Sequence, residues 1–377
     1  MLLENFTYPE DTRVRNEAET LAADGYRVTV IAPRGSRQPS RERLGEVEVL
    51  RYRTAWAGRS MWTYAWEYGV AHLQLVTRSI TALRHGAHIV HINGPPDTLA
   101  IAGIIARVAK RKVVYDMHDS GPELFEAKFG SSYLVRALIA AQAIAIRCAD
   151  QVIVTNDSQR DLVTERGKRP ARDVTVVRNG PRISEFPDPA VGRSDTLADP
   201  RLIYVGTLDV QDGVLELADL MCEPELGAAH LTIVGDGPAR KALVARVRRM
   251  GAWDRVTFTG HVPHERVAKL ISGADIAVDP APGTEFNHGC TMIKVVEYMS
   301  AGRPTVAYDL RETRRAAKGA AVYAPCGDRQ AFADLICDLA RDSERRLLLG
   351  RLARTRAAAL TWERSADALR DVYRRIA

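Results

Sequence analysis

Short apolar runs alternate with amphipathic helical patterns along nearly the whole of this 377-residue chain. Apolar runs of this length, bounded by turn residues, are typical of buried strands. The alternation is typical of α/β proteins, in which helices join parallel strands and cover both faces of the sheet. We therefore expect parallel sheets. Since the chain is too long for one typical core, we also expect two domains.

The predicted strands fall into two series. They cover 28–32, 47–52, 89–92, 113–116, 152–155 and 174–177, and then 202–206, 231–235, 256–260, 276–279, 305–308 and 320–323. Between the series, 181–200 is rich in Pro, Asp, Gly and Ser and lacks periodicity, which predicts a linker. The predicted division is 1–185, 186–360 and a final amphipathic helix within 361–377.

Composition excludes several classes of protein. The net charge is +6, but no nucleic-acid-binding motif accompanies it, so we expect no nucleic-acid partner. The five cysteines are odd in number and form no C-x-x-C pair, which fits a reducing cytosol. No signal peptide and no run of about 18 apolar residues is found, so we expect a cytoplasmic protein. The apolar stretch 134–146 predicts a buried helix, and peripheral contact with the inner face of a membrane is the alternative.

The segment Gly289–Asp309 reads as a loop, an amphipathic helix and a buried strand. Cys290 and Thr291 are expected to start the helix, and Gly302 to end it. The first N–H groups of a helix are unpaired and its dipole favours negative charge, so this start is suited to a phosphate. Glu297 projects from the same helix and can accept hydrogen bonds from sugar hydroxyls. The segment therefore suggests a nucleotide-sugar pocket.

The same segment carries a family resemblance. E-Y-M-S-A-G-R-P-T-V, from Glu297 to Val306, resembles the E-A-M-A-x-G-x-P-V signature of family 4 glycosyltransferases. T-M-I-K-V-V-E-Y-M is similar to one branch, which reads S-T-M-N-K-x-x-E-Y-M. Most of the family has a further glutamate where this chain has Gly289. That difference brings into question a role for the first glutamate in holding the donor sugar.

The resemblance implies the GT-B fold: two Rossmann-like, doubly wound domains that face each other across a cleft. In that fold the second domain binds the nucleotide, the first binds most of the acceptor, and the final helix crosses back to the first. The implied reaction is transfer of a sugar from a nucleotide-diphosphate sugar to a hydroxyl of a glycan, a lipid-linked sugar or a small natural product. Family members retain anomeric configuration and need no metal or other cofactor.

The donor-binding residues are predicted from strand-to-loop turns and from the helix start. G-D-G-P, Gly235–Pro238, follows a strand and precedes a helix, where glycines allow close approach of a ligand or simply make a tight turn. The family usually has an Arg and a Lys for the diphosphate where this chain has Thr207 and Asp212. The full predicted set is Arg13, Gly206, Thr207, Gly235, Gly237, Pro238, Cys290, Thr291, Met292, Lys294 and Glu297.

Arg13 and Lys294 are the expected replacements for the missing cations, because a diphosphate leaving group needs positive charge. Arg13 lies in a first helical turn, which the dipole disfavours, so either a phosphate or Glu17 four residues later holds it. Lys294 either contacts the diphosphate or is a surface lysine paired with nearby carboxylates.

In the first half, Y-D-M-H-D-S-G-P-E-L-F places His118 just past a strand end. In the family a histidine here contacts the donor sugar, so His118 and Glu297 are the predicted catalytic residues. Glu123 either orients an acceptor hydroxyl or caps a helix. The acceptor side is predicted to include Asn93, Asp97, Glu123 and Lys128.

Other patterns give weaker indications. Trp56, Trp62 and Trp66 with two tyrosines suggest an acceptor-stacking wall, a lipid-facing patch or core packing. No D-x-D follows a strand and the histidines lack ligand spacing, so no metal site is expected. Two rival functions remain: a sugar-nucleotide epimerase on the same fold, and a non-catalytic nucleotide-sugar-binding protein.

Overall fold

The computed structural model describes residues 1–4, 6–54, 61–130, 133–182, 185–186 and 196–377, and describes the backbone alone at 61–65, 67, 68, 128, 129 and 264. The chain divides into two compact units. Unit 1 comprises Met1–Arg178 and Glu363–Ala377, and unit 2 comprises Asn179–Trp362. The predicted divisions, at 185/186 and 360/361, lie a few residues from these boundaries.

Unit 1 alternates helices and strands. Its helices are α1 (Thr12–Ala23), α2 (Met61–Arg84), α3 (Ala100–Val108), α4 (Gly121–Phe129), α5 (Tyr133–Cys148) and α6 (Asp157–Gly167). Its strands are β1 (Thr29–Pro33), β2 (Arg41–Leu44), β3 (Val47–Tyr52), β4 (Ile89–Gly94), β5 (Lys112–Met117), β6 (Gln151–Val154) and β7 (Val174–Val176).

The strands of unit 1 form two sheets. One has the order β1-β3-β2, and the other has the order β4-β5-β6-β7 with all strands parallel. Leu2 is bridged in parallel to Ile31 of β1 and to Ile92 of β4, so the chain near Leu2 joins the two sheets. β5 and β6 are buried along nearly their whole length, as expected for parallel strands covered on both faces.

β2 was not predicted from the sequence. It pairs antiparallel with β3 at the edge of its sheet, and its residues alternate between exposed and half-buried. R-E-R-L therefore lacks the apolar run that marks the other strands.

Unit 2 contains strands β8 (Arg201–Val205), β9 (His230–Val234), β10 (Val256–Gly260), β11 (Ile276–Asp279), β12 (Thr305–Tyr308) and β13 (Val322–Ala324). Its helices are α7 (Glu216–Leu220), α8 (Arg240–Arg249), α9 (His264–Gly273), α10 (Glu285–His288), α11 (Ile293–Ser300), α12 (Arg311–Ala317), α13 (Arg329–Arg341) and α14 (Ser343–Ala357). A last helix, α15 (Trp362–Arg374), belongs to unit 1 from Glu363 onwards.

The sheet of unit 2 is wholly parallel and has the order β10-β9-β8-β11-β12-β13. Counted along the unit, this is the 3-2-1-4-5-6 order of a doubly wound sheet. In such sheets ligands bind beyond the carboxyl ends of the strands, at the point where the strand order reverses. Here that point lies between β8 and β11.

Three further predictions from the sequence can be compared with the structure. The helix predicted over 134–146 is present as α5, but Leu134 is 50% and Ile144 45% exposed, so its burial is partial. Trp56 lies outside the described residues, as do the side chains of Trp62, Tyr64 and Tyr68, whereas Trp66 is 68% exposed. Among the residues described, no helix is both long and apolar enough to cross a lipid bilayer.

Candidate functional site

His118 lies directly after β5, at the carboxyl edge of the sheet of unit 1. Its Nε2 is 2.8 Å from Asp116 Oδ2 and 3.2 Å from Asn93 Oδ1. The side-chain amide of Asn93 is held in this orientation because its Nδ2 donates a hydrogen bond to Leu2 O at 2.9 Å. Because both neighbours of Nε2 are acceptors, this nitrogen carries the hydrogen, and a neutral imidazole then has its lone pair on Nδ1.

Asp116 is fully buried, whereas the His118 side chain is 18% exposed. Burial by itself raises the pKa of a carboxyl, but Arg13 and His118 outweigh it here and hold the pKa of Asp116 well below its usual range. The carboxylate is therefore ionised and fixes the imidazole from its buried side. This leaves Nδ1 as the ring nitrogen available to a ligand.

Arg13 occupies a different place from the one predicted for a donor-binding residue. Its guanidinium is buried and bidentate to Asp116, with Nε–Oδ2 at 2.8 Å and Nη2–Oδ1 at 2.6 Å. It also donates to Val177 O at 2.8 Å and lies 3.2 Å from Glu17. The sequence left either a phosphate or Glu17 as the partner of Arg13, and in the structure Arg13 has carboxylate partners. Asp116 explains how a cation is held in the first turn of α1.

Glu17 and Asp116, the two carboxyl partners of Arg13, form a buried group with His91, whose Nε2 lies 3.5 Å from Glu17 Oε2 and 3.8 Å from Asp116 Oδ2. Their candidate ligand atoms lie within 4.8 Å of one another, and within the described residues they are the one such set able to hold a metal ion. Arg13 already supplies the positive charge there, since it contacts both carboxyl groups. The donor set therefore favours an internal ion pair over a metal site.

Burial and the charge of Asp116 raise the pKa of Glu17 well above its ordinary value. Burial lowers the pKa of His91, whose Nδ1 is 2.8 Å from the hydroxyl of Tyr373 on α15. Both shifts favour the uncharged forms of Glu17 and His91 beside the ion pair of Arg13 and Asp116. It connects α1, β4, β5 and α15 beneath His118.

The predicted acceptor-side carboxylates are engaged within unit 1. Asp97 is 5% exposed and accepts hydrogen bonds from the Tyr115 hydroxyl and, at 3.1 Å, from Gln142 Nε2. Burial raises the pKa of Asp97 to about 6. Glu123 accepts from Arg166 Nη2 at 2.5 Å and from the Ser120 hydroxyl.

These bonds hold Asp97 within unit 1, and its acceptor-side role stays a prediction. Glu123 lies in the first turn of α4, whose N-cap residue Ser120 makes no side-chain capping bond, so both alternatives for Glu123 stay predictions. Asn93 is buried beside His118. The side chain of Lys128 lies outside the described part of the chain.

In unit 2, the two loops that follow β8 and β9 pack closely on each other. A Cβ on Gly235 would lie 2.0 Å from Gly206 O, and one on Gly237 would lie 2.5 Å from Leu208 O. Both glycines are thus required by the contact between the loops, which accounts for them without a ligand. Thr207 and Pro238 lie in the same two loops.

Lys294 lies at the reversal of strand order in unit 2. Its Nζ is 3.0 Å from Asp212 Oδ1, in the loop after β8, and 3.6 Å from Asp279 Oδ1, at the end of β11. The pairing with carboxylates expected in the second alternative is present, but Lys294 is 8% exposed and so does not lie on the surface. Burial would lower the pKa of Lys294, but the carboxylates raise it well above its ordinary value. The site therefore holds a permanent cation.

The helix carrying Lys294 begins later than predicted. α11 starts at Ile293 with Met292 as N-cap, so Cys290 and Thr291 lie in the preceding loop. Thr291 Oγ1 is buried and has no hydrogen-bond partner among the described residues. A buried hydroxyl without a partner, next to a helix N-terminus and a lysine, is suited to an anionic oxygen. Glu297 follows in α11 and is half-buried.

Sequence reasoning missed Asp116 and Asp279 as members of these two sites. Each is an acidic residue within the last two positions of a buried apolar strand. A carboxylate is rarely buried unless it is paired, so that placement was the available signal.

Two family models match this chain, one described as "Glycosyl transferase 4-like domain" over residues 11–180 and one as "Glycosyl transferases group 1" over residues 199–342. A glycogen synthase of Mycobacterium tuberculosis is 26% identical over 250 residues, which is 64% of this chain and 58% of that protein. The chain thus spans less than two thirds of that relative's length.

Solved structures share the fold over nearly the whole chain. Sucrose-phosphate synthase from Thermosynechococcus elongatus aligns with a TM-score of 0.76 and 19% identity, covering 99% of this chain and 98% of that one. The Anabaena protein HepE, crystallised with UDP-glucose, aligns with a TM-score of 0.73 and 17% identity over 99% of both chains. At such identities the likeness establishes the GT-B fold.

Proposed function

We propose that this chain, which belongs to the group 1 glycosyltransferases of the family 4 type, moves a sugar from a nucleotide-diphosphate sugar to an acceptor hydroxyl. The observation that carries the proposal is the anion site at the start of α11. There Lys294, the unpartnered Thr291 hydroxyl and the first N–H groups of the helix come together where the strand order reverses.

The donor diphosphate binds Thr291 and Lys294, and Glu297 accepts from the ribose hydroxyls. Asp212 and Asp279 now neutralise Lys294, so the diphosphate competes with them for the ammonium group. Bound UDP-glucose in HepE makes UDP the first nucleotide to test. The base and the sugar are otherwise open.

The reaction we propose retains the anomeric configuration and needs no metal. The bond between the anomeric carbon and the phosphate oxygen breaks, and its electron pair stays with the diphosphate. The acceptor oxygen bonds to the same face of the sugar and passes its proton to the leaving phosphate. Lys294 and the α11 N-terminus stabilise the negative charge on that phosphate. His118, fixed by Asp116, accepts a hydrogen bond from a donor-sugar hydroxyl through Nδ1.

A calorimetric titration with UDP, GDP, ADP and TDP tests the nucleotide site. Thr291→Val keeps the side-chain shape and removes the hydroxyl, so it should weaken the preferred nucleotide about tenfold, as expected for a lost hydrogen bond to a charged group. Thr257→Val, on the edge strand β10, is the matched control and should leave affinity unchanged. Equal affinities for wild type and Thr291→Val would remove Thr291 from the site.

Turnover distinguishes the proposal from its rivals. With donor and a panel of acceptors, a transferase forms a glycoside and releases nucleoside diphosphate. NMR of the donor alone would reveal an epimerase by the appearance of a second sugar. Binding of the nucleotide without either reaction would identify a non-catalytic sugar-nucleotide-binding protein.

We also propose peripheral contact with anionic membranes through α3 and α5. Ile101, Val108, Tyr133 and Leu134 are 50% or more exposed there, and they lie on two helices that pack on each other. Arg107 and Arg136 lie on the same helices. Sedimentation with phosphatidylserine vesicles should fall when Val108 is changed to Ser. Equal sedimentation with neutral vesicles would contradict the role of charge.

A further inference from the structure

Asp279 is a buried carboxyl group of unit 2 whose oxygen atoms lack hydrogen bonds. It ends β11 and is 1% exposed. Among the residues that the structure describes, neither Oδ1 nor Oδ2 has a hydrogen-bond partner of normal geometry. Lys294 Nζ lies 3.6 Å from Oδ1, which is longer than an ordinary N–H···O hydrogen bond of about 2.7–3.2 Å. A negative charge on Asp279 therefore depends on this ammonium group.

The uncharged neighbours of Asp279 come from β8, β12, α11 and its own loop. Its partner in the parallel register with β12 is Ala307. Burial raises the pKa of the hydroxyl groups of Tyr204 on β8 and Tyr298 on α11, so both hydroxyls stay neutral. The backbone N–H of Ala281 faces the carboxyl group from the loop that follows β11. These neighbours bring no full positive charge to Asp279.

Lys294 serves two carboxyl groups that differ in their access to water. Its Nζ donates to Asp212 Oδ1 at 3.0 Å, and the Asp212 side chain is 20% exposed, whereas that of Asp279 is fully buried. Burial raises the pKa of Asp279, Lys294 opposes this and Asp212 adds to it, so that the net shift is upward. A diphosphate at the start of α11 brings more negative charge and accepts hydrogen bonds from the same ammonium group. Water can then solvate Asp212 but not Asp279, so binding leaves Asp279 without a counter-charge.

We propose that Asp279 takes up one proton from solvent when the donor diphosphate binds, and returns it when the nucleoside diphosphate leaves. The proton bonds to a carboxyl oxygen, so the site loses one negative charge as the diphosphate brings its own. Lys294 is thereby released from Asp279 to the phosphate oxygens. Asp279 is a positioning residue, since it acts through Lys294 and does not contact the donor. The inference rests on the proposed function, because it requires a diphosphate at Lys294.

The uptake of a proton makes donor affinity depend on pH. Donor binding favours the protonated carboxyl group, so the affinity decreases as the pH rises through the window in which Asp279 is ionised in the free protein and protonated in the complex. Within this window, uptake of one proton corresponds to a decrease of up to about tenfold for each pH unit. Below the window Asp279 is protonated in both states, and above it in neither, so the affinity is constant there.

Calorimetric titration with UDP-glucose, repeated in buffers of different ionisation enthalpy between about pH 6 and pH 8.5, counts the protons taken up. UDP-glucose is chosen because its diphosphate is esterified at both ends and does not titrate there, whereas the terminal phosphate of UDP does. Wild type should take up nearly one proton at the pH of greatest uptake. Asp279→Asn keeps the shape and cannot ionise, so it should take up none and bind with an affinity that does not change with pH. Asp212→Asn, the matched control at the other carboxyl partner of Lys294, should still take up the proton.

Binding of UDP-glucose without proton uptake anywhere in this pH range would overturn the inference and leave the proposed function standing. Equal uptake by wild type and Asp279→Asn would also overturn it, because another group would then carry the proton. If Asp279→Asn does not fold, the infrared difference spectrum of the wild type decides: addition of UDP-glucose should create the band of a protonated carboxyl group, and absence of that band would refute the proposal. GDP-mannose replaces UDP-glucose if the protein binds only guanosine nucleotides. Failure of every nucleoside diphosphate and its sugar to bind would instead refute the proposed function.

Discussion

Replacing Glu17 by Gln should make the stability of unit 1 less dependent on pH. Glu17 is fully buried beside Asp116, and its pKa is raised well above the ordinary value of 4.5. In the folded state Glu17 therefore retains its carboxyl proton at pH values at which Glu17 of the unfolded chain has lost it. When the pKa of a carboxyl is higher in the folded state, the free energy of unfolding falls as the pH rises above the pKa of that carboxyl in the unfolded chain.

The size of the effect follows from the proton that the folded state retains. For a carboxyl that stays protonated, the free energy of unfolding falls by about 1.4 kcal/mol for each pH unit above the unfolded pKa. Between pH 5 and pH 7 this amounts to about 2.7 kcal/mol, a large part of the stability of an ordinary domain. Gln fills the same volume, supplies an uncharged donor towards Asp116 and does not titrate.

The free energy of unfolding is measured in guanidinium at pH 5, 6 and 7 for wild type, Glu17→Gln and Glu19→Gln. Hydrogen exchange at the amides of α1 and β5 reports the stability of unit 1 separately from that of unit 2. His91 also titrates, since burial lowers its pKa and acid destabilises the fold through it. This effect is the same in wild type and in Glu19→Gln, whereas Glu17→Gln alters it because His91 Nε2 lies 3.5 Å from Glu17 Oε2.

The stability of Glu17→Gln relative to wild type should increase by about 2–3 kcal/mol from pH 5 to pH 7. Glu19→Gln changes an exposed carboxylate on the same helix and should show almost no change with pH. A pH-independent difference between Glu17→Gln and wild type would show that Glu17 is ionised in the fold, which would refute the proposed charge state of the cluster.

Tyr373→Phe removes the hydrogen bond to His91 Nδ1 and should lower the free energy of unfolding of unit 1 by about 1 kcal/mol. Denaturant unfolding measures this change, and an unchanged midpoint of the unfolding transition would contradict the prediction. Asp212→Asn removes one competitor for Lys294 and should tighten UDP binding about fivefold in calorimetry, whereas weaker binding would show that Asp212 itself contacts the ligand. Asp116→Asn should lower kcat about tenfold or more with UDP affinity unchanged, because the adjacent imidazole loses its fixed tautomer. A parallel loss of affinity would point to unfolding.

Much of the fold followed from local pattern. β3, β10, β11 and β12 have the predicted bounds. For β11 and β12 the reason is that buried parallel strands are continuous apolar runs between turn residues. β2 was missed since it is a polar edge strand, held by its pairing with β3 and not by burial. The start of α11 was predicted two residues early, because its N-cap, Met292, has no capping side chain that a sequence could reveal.

The sites were harder to predict, because pairing between distant residues decides them. Arg13 was assigned to a phosphate, yet its partner is Asp116, 103 residues away, which no local pattern reveals. Lys294 was located correctly on its helix, but its burial depends on Asp212 and Asp279 from two other strand ends. His118 and Glu297 remain predictions, each placed where the strand and helix patterns put them.

Tyr373 gives unit 1 a particular dependence on chain synthesis. Unit 1 is assembled from residues 1–178 and from 363–377, with the whole of unit 2 encoded between them. A ribosome that has finished residue 178 has not yet made the tyrosine that bonds to His91, nor the rest of α15. Unit 2 is contiguous and can complete its folding while unit 1 still waits, which reverses the usual order in which domains mature from the amino end. Premature termination between Trp362 and Tyr373 would thus damage the half of the protein that was translated first.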